Sequence, residues 1–275
     1  MAKGVKKIKQ SSGLYYPKLS VEKMVITIQP DQFMFFAISE WYSGTTEQEK
    51  NKSITWLWQE YNRKTIVRQK ILLPSQTYGV KLAKKDCGPY LYYLEASLSG
   101  KASAGTEGLY FRGHCIPKIT ASKWCATADG EDQRENYFKY GHRLYLGLET
   151  EGLNGETNLT VEIYKKIAGG GGLADDKLIQ TFTSVDVING EVNLKIGSTA
   201  NWFIHAKKDI EEFYVKVKSP AGQYVTDGKD AIHARFLKIK KEQVTKSVEP
   251  PTNQTPVKVG ETERTSKIII RVHIQ

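Results

Sequence analysis

The 275-residue chain has few cysteines and no long apolar run. Its three cysteines, Cys87, Cys115 and Cys125, are an odd number, whereas a secreted scaffold held by disulfides normally carries several pairs. The basic N-terminus lacks the apolar core of a signal peptide, and no segment approaches the roughly 18 apolar residues of a membrane span. We therefore expect cytoplasmic synthesis without a signal peptide and no membrane span, while export by another route stays open.

Motifs for catalysis and for metal or cofactor binding are also missing. The sequence has no Gly-x-Ser-x-Gly and no His-Glu-x-x-His, and no Lys-Ser or Lys-Thr follows the glycine run at 169–172. His114, Cys115 and Cys125 are the closest soft ligands, but their spacing does not fit a zinc site and a fourth ligand is missing. We predict a non-enzymatic protein with no cofactor and no catalytic or metal-binding residue, and leave open a disulfide between Cys115 and Cys125.

The formal net charge is +10, from 40 lysines and arginines against 30 acidic residues. The lysines are spread along the chain, with local clusters at Lys3, Lys6, Lys7 and Lys9 and at Lys238, Lys240 and Lys241. A diffuse basic surface favours solubility and nonspecific attraction to acidic partners over sequence reading. We therefore expect no specific nucleic-acid partner, and the charge can serve either binding or solubility.

Three pairs of similar segments occur in the same order along the chain and indicate an internal repeat. Their offsets grow from 100 to 105 to 123 residues, as loop insertions in a second copy would produce. The paired segments are 17–24 with 117–124, 54–58 with 159–163, and 83–86 with 206–209.

Alternating apolar residues predict β-strands with one buried face. The clearest runs are Leu144, Leu146 and Leu148, then Phe213, Val215 and Val217, then Ile54, Trp56 and Trp58. Turn signals such as Asn189-Gly190 separate these runs, and short helices are expected only near 46–53 and 206–212. The pattern predicts an all-β protein of two tandem immunoglobulin-like β-sandwich domains, with a jelly roll or a small barrel as the alternative.

The predicted organisation has four parts. Residues 1–13 form a basic N-terminal arm, 14–113 the first sandwich, 114–244 the second, and 245–275 a Pro-containing linker that ends in a strand. This terminal strand either returns to one of the chain's own sheets or adds to a partner's sheet. Its expected docking residues are Ile268, Ile269, Ile270, Val272 and Ile274.

Surplus aromatic residues suggest a second kind of site. Trp56 and Trp58 lie on the apolar face of a predicted strand and are expected in the core, whereas Trp41 and Trp202 are the candidates for exposed aromatic contacts. Exposed indoles stack on sugars, so a carbohydrate- or cell-surface-binding module is the alternative function.

Several segments resemble tandem immunoglobulin-like modules of Bacteroidetes proteins associated with contractile injection or type VI-like secretion, including PAAR-like spike components. The resemblance covers most of residues 17–241 and is carried by segments 90–100, 140–146, 152–155, 213–217 and 232–239. It implies a structural or adaptor protein that links or carries a spike, tube or effector component, and export by the apparatus. It transfers no catalytic residue, since the matching segments are strand signatures.

Overall fold

The computed structural model describes residues 1–102, 105–167 and 176–241, and these fold into β-strands with only short helical turns. The predicted all-β sandwich class is confirmed. Among these described residues there are two short helices, α1 (Pro17–Lys23) and α2 (Glu47–Lys50), with 3-10 turns at Lys84–Asp86 and Ala200–His205. The strands are β1 (Val5–Gly13), β2 (Ile26–Ile28), β3 (Met34–Trp41), β4 (Ile54–Glu60), β5 (Ile66–Leu72), β6 (Tyr78–Val80), β7 (Tyr92–Ser97), β8 (Leu109–Gly113), β9 (Lys118–Cys125), β10 (Tyr137–Lys139), β11 (Arg143–Glu151), β12 (Leu159–Lys165), β13 (Lys177–Val185), β14 (Glu191–Ser198), β15 (Ile210–Lys218) and β16 (His233–Lys240).

The first eight strands form two sheets around an aromatic core. One sheet has the order β1-β3-β6 and the other β2-β8-β7-β4-β5, in which β2 pairs with β8 in parallel. Trp56 and Trp58 lie in this core as predicted, and the Trp56 ring stacks on Tyr78 at 5.4 Å. Stacked and edge-on rings of this kind stabilise a core beyond the area that they bury.

The last eight strands repeat this arrangement around a second, mainly aliphatic core. Their sheets have the orders β9-β11-β14 and β10-β16-β15-β12-β13, and β10 pairs with β16 in parallel. Each strand therefore occupies the place of the strand eight positions earlier in the chain. The similar segments 54–58 and 159–163 lie in β4 and β12, which are equivalent strands in this scheme.

The first of the three pairs of similar segments, 17–24 with 117–124, does not occupy equivalent places in the structure. Segment 17–24 contains the helix α1, which begins at Pro17 and ends with Met24 in the left-handed region, whereas 117–124 contains most of the strand β9. The strand equivalent to β9 is β1. The short helix expected near 46–53 is present as α2, but the one expected at 206–212 is not, because β15 begins at Ile210.

The predicted N-terminal arm at 1–13 is also corrected by the structure. Its residues from Val5 to Gly13 form β1, which pairs with β3, and the side chains of Val5 and Ile8 are buried in the first core. Lys6 is held at the surface by an ion pair of 2.9 Å with Glu40. The segment is therefore part of the first sandwich.

The described residues form one compact unit that contains both cores. The predicted docking residues 268–270, 272 and 274 lie outside the described residues, and the number of domains stays a prediction. In the part of the chain that the structure describes, no helix has the length and apolar character needed to cross a membrane.

Candidate functional site

The outward side of the second five-stranded sheet carries an unusual set of side chains. Residues alternate along β12 and β15, so that Val161, Ile163 and Val215 enter the core while Tyr164 and Lys216 point away from it. The parallel pairing of β10 with β16 places Tyr137 beside Lys238 on the same outward side. Side chains that are far apart in sequence therefore meet on one surface.

We call this surface the lysine–tyrosine face and define it as the outward side of β10, β12, β15 and β16 together with the adjoining Lys166 and Tyr224. Its strands carry the carboxylates of Glu162 and Glu212, and Asp176 accepts a hydrogen bond from Tyr214 Oη at 2.9 Å beside them. Its lysines and aromatic residues are Lys139, Lys166, Lys216, Lys218, Lys238 and Lys240, with Tyr137, Tyr164, Tyr214, Tyr224 and Phe236. Positive charge therefore exceeds negative charge on this face.

Lysine ammonium groups lie over the aromatic rings of the face. The Nζ of Lys216 is 4.8 Å from the ring centroid of Tyr164 and 5.4 Å from that of Tyr224. The Nζ of Lys240 is 4.2 Å from the ring of Tyr137. Such cation–π contacts hold the charges in place along the sheet. Lys216, Lys238 and Lys240 have no carboxylate partner among the described residues, so their charges stay available to an outside anion.

Glu162 organises the tyrosine side of the face. Its carboxylate accepts hydrogen bonds from Lys218 Nζ at 2.6 Å, Tyr164 Oη at 2.9 Å and Tyr224 Oη at 3.0 Å. Burial acts to raise the pKa of Glu162, but these three hydrogen bonds outweigh it and hold the pKa below its ordinary value. Glu162 is therefore ionised and fixes two tyrosines and one lysine in place.

A basic cavity of about 290 Å³ adjoins the face at Lys166. Below it lies a buried ion pair, in which Lys165 Nζ is 2.7 Å from Glu211 Oε1 and 2.5 Å from the carbonyl oxygen of His205. Glu211 also accepts hydrogen bonds from the backbone N–H groups of Lys207 and Lys208. The other lysines that line the cavity are Lys166, Lys177, Lys207 and Lys208. The cavity extends the positive surface beyond the sheet.

The structure does not bring together the two tryptophans that were expected as exposed contacts. Trp202 is only 3% exposed, because its ring packs on Phe213 at 5.1 Å and its Nε1 donates to Gln180 Oε1 at 3.0 Å. Trp41 is half-buried and packs against the first core. The expectation of an exposed Trp202 is therefore wrong, and the two indoles belong to different cores.

The other polar groups singled out in the sequence have ordinary contacts. His114 lies edge-on to Tyr16. Cys125 donates to the carbonyl oxygen of Gly130, whereas Cys115 contacts that of Lys84, so the two thiols suggested as a pair lie in different surroundings. Within the described ranges, no cluster of three or more His, Cys, Asp or Glu side chains is arranged to hold a metal ion.

No protein-family description matches this chain, and no curated protein matches it. Among solved structures it is similar to a chain from a 1.5-MDa bacterial ice-binding adhesin studied for host cell surface retention, with a TM-score of 0.24 and 10% identity over 86% of this chain and 65% of that chain. It is also similar to CBD12 from CALX1.2, with a TM-score of 0.23 and 9% identity over 79% and 83% of the two chains. It is similar as well to the C-terminal domain of the Streptococcus pyogenes antigen I/II-family protein AspA, with a TM-score of 0.24 and 7% identity over 78% of this chain and 94% of that chain. TM-scores this low carry no functional argument.

Proposed function

We propose that this protein is a non-enzymatic adaptor that docks an acidic protein partner on the lysine–tyrosine face. The observation that carries the proposal is the row Lys216, Lys238 and Lys240 on one sheet, whose charges lie over aromatic rings and have no carboxylate partner among the described residues. Charged surfaces that complement each other steer association and select partners. An acidic segment or surface is the partner chemistry that this face fits.

The same face is less suited to single-stranded nucleic acid. Base stacking needs open aromatic faces, but Tyr214 is fully buried and the ring of Tyr164 carries the ammonium group of Lys216. We therefore favour a protein partner, and nucleic-acid binding becomes one of the outcomes of the test.

The identity of the partner is the second part of the proposal. We propose that it is a spike, tube or effector component of a contractile injection or type VI-like apparatus, and that the apparatus exports the chain. The support for this part is the sequence resemblance over residues 17–241. The C-terminal segment that contains Ile268 and Ile274 is proposed as a second docking element, on its strand propensity alone.

The docking face is tested with a fluorescent peptide rich in Asp and Glu and with a single-stranded oligonucleotide. We expect the triple variant Lys216→Glu, Lys238→Glu and Lys240→Glu to weaken peptide binding roughly tenfold or more, and raised salt to weaken wild-type binding. The matched control is Lys52→Glu, Lys64→Glu and Lys70→Glu, which changes the net charge equally at exposed positions of the first sandwich. Equal weakening by both triples would contradict the proposal, and tighter binding of the oligonucleotide would favour nucleic acid instead.

The apparatus is tested by affinity purification from the native cell with mass-spectrometric identification of the captured proteins. Full-length protein, the face triple variant and a chain without residues 267–275 are compared. Spike, tube or effector proteins that disappear with the face variant would support both parts of the proposal. Their retention by the face variant and loss on truncation would move docking to the C-terminal segment.

A further inference from the structure

Two of the three cysteines lie together where the two sandwiches join. Cys87 directly follows the 3-10 turn at Lys84–Asp86, and Cys115 follows β8 by two residues. The backbone of Cys87 forms a parallel bridge with Gly113, and the N–H of Gly88 donates to the Gly113 carbonyl oxygen at 3.0 Å. The backbone therefore holds the two cysteine-bearing segments side by side.

The side chains of the two cysteines also lie against the same turn. A Cβ atom on Gly113 would collide with the Sγ of Cys87, so the glycine leaves the space that this sulfur fills. The thiol of Cys87 is 3.5 Å from the carbonyl oxygen of Ala83, and the thiol of Cys115 is 3.7 Å from that of Lys84. The two thiols thus lie on the same short turn, close enough that each shifts the pKa of the other.

The two thiols differ in burial and in the direction of their pKa shifts. Interaction with the Cys115 thiol and burial together raise the pKa of Cys87, whereas interaction with the Cys87 thiol lowers the pKa of Cys115, with a further contribution from the charge of Lys84. Cys115 is also half-buried and Cys87 fully buried. Cys115 is therefore the thiol that an outside reagent meets first. Lys84 and Glu151, whose charges act on it, line a cleft of about 540 Å³.

The thiol pair lies in the connection between the sandwiches. The N–H of Gly152 donates to the Lys84 carbonyl oxygen at 3.2 Å, and that of Asn154 donates to the Cys87 carbonyl oxygen at 2.8 Å. The N–H of Tyr90 in turn donates to the Asn154 carbonyl oxygen at 3.0 Å. A covalent bond at Cys87 would therefore restrain a segment that the second sandwich already contacts.

We propose that Cys87 and Cys115 form a dithiol site that a small disulfide, such as oxidised glutathione, converts to an intramolecular disulfide that fastens the junction. The Cys115 thiolate attacks the small disulfide and releases one thiol, which gives a mixed disulfide. Cys87, on losing its proton, attacks the Cys115 sulfur and releases the second thiol. The two protein thiols are oxidised and the small disulfide is reduced to two thiols, so that atoms and electrons balance. This inference does not rest on the docking face.

The native full-length protein is incubated with oxidised glutathione, and its free thiols are then counted. We expect one of the three thiols to remain, a loss in mass of two hydrogen atoms, and a proteolytic peptide pair that joins Cys87 to Cys115. Hydrogen exchange at 83–90 and 152–155 slows on oxidation, and Tm rises by roughly 5 °C.

Two variants keep the test decisive. Cys125→Ser removes the thiol in the second sandwich and is expected to leave the Cys87–Cys115 bond unchanged, whereas Cys115→Ser abolishes it and keeps the fold. A stable glutathione adduct on Cys115 with Cys87 still reduced, a bond that includes Cys125, or three unreacted thiols would each overturn the dithiol site. A disulfide that forms without slower exchange at 152–155 would overturn its role at the junction.

Discussion

Glu162 is the residue on which the geometry of the lysine–tyrosine face depends most. Two tyrosine hydroxyl groups and one ammonium group donate to a carboxylate whose side chain is 8% exposed. A buried carboxylate with three donors is stabilising only while it is ionised, because its protonated form cannot accept the same bonds. Protonation of the Glu162 carboxylate should therefore change both the stability of the fold and the geometry of the lysine–tyrosine face.

We expect Glu162→Gln to lower the free energy of unfolding by about 1–2 kcal/mol at neutral pH. The folded-state pKa of Glu162 is lowered, so its stabilising effect is present above the unfolded-state pKa and is lost as pH falls through the folded-state pKa. The difference between wild type and variant should thus shrink in acid. Urea unfolding of both proteins at about pH 7 and about pH 3 measures this difference.

The exposed Glu191→Gln in the same sandwich is the control for Glu162→Gln, and it should change stability little. A difference between wild type and Glu162→Gln that stays constant down to acid pH would contradict the role of the ionised carboxylate.

Trp202 shows where single residues escape prediction from sequence. Its neighbours give no apolar alternation, since the segment forms a 3-10 turn and not a strand. Its burial depends on Phe213 and Gln180, which come from two different strands. Trp56 was predictable because it shares a period of two with Ile54 and Trp58. Regular strands thus reveal their buried side chains, and irregular turns do not.

At the scale of elements, the sequence pattern did not reveal the strand β1, and the reason is physical. Its buried residues Val5 and Ile8 are three positions apart, because the register with β3 shifts between Val5 and Lys7 and again between Lys7 and Ile8. Such bulges break the alternation that identifies a strand. The intervening lysines then made the segment resemble a solvated arm.

We expect Ile8→Ala to lower the free energy of unfolding by about 2–4 kcal/mol, because it removes a fully buried side chain from the first core. Lys9→Ala, at an exposed position of the same strand, should have little effect. Denaturant unfolding of both variants measures these free energies and so distinguishes a strand packed on the core from a solvated arm. If the two variants were equally stable, β1 would contribute no packing.

The lysine–tyrosine face could be predicted only in part. Alternation in 213–217 places Phe213 and Val215 in the core and Tyr214 and Lys216 on the opposite side of the sheet, as the structure has them, although neighbouring side chains bury Tyr214 there. The sequence contains no sign that Tyr137 lies beside Lys238, since this contact depends on a parallel pairing between β10 and β16. The residue types on a face follow from local pattern, but the assembly of a face requires the strand order.

At the scale of the whole molecule, the backbone connection near Asn154 decides whether the two sandwiches behave independently. Gly88 has φ +146°, and a Cβ atom there would collide with the backbone of Leu153 and Asn154. The hydrogen bonds from Asn154 to Cys87 and from Tyr90 to Asn154 flank this contact. The close approach therefore requires glycine both for its backbone conformation and for its small size.

We expect Gly88→Ala to weaken this connection and to divide thermal unfolding into two transitions, one for each core, because fewer contacts then couple them. The matched control is Gly141→Ala, which has a similarly positive φ of +95° but no atom within 4 Å of its added Cβ. In that variant only the strained backbone conformation of the new alanine destabilises the fold, so Tm should fall while the two cores still unfold in one transition. Calorimetry of both variants, with hydrogen exchange at 152–155, distinguishes the two effects. Identical behaviour of the two variants would mean that the contact between Gly88 and Asn154 does not couple the cores.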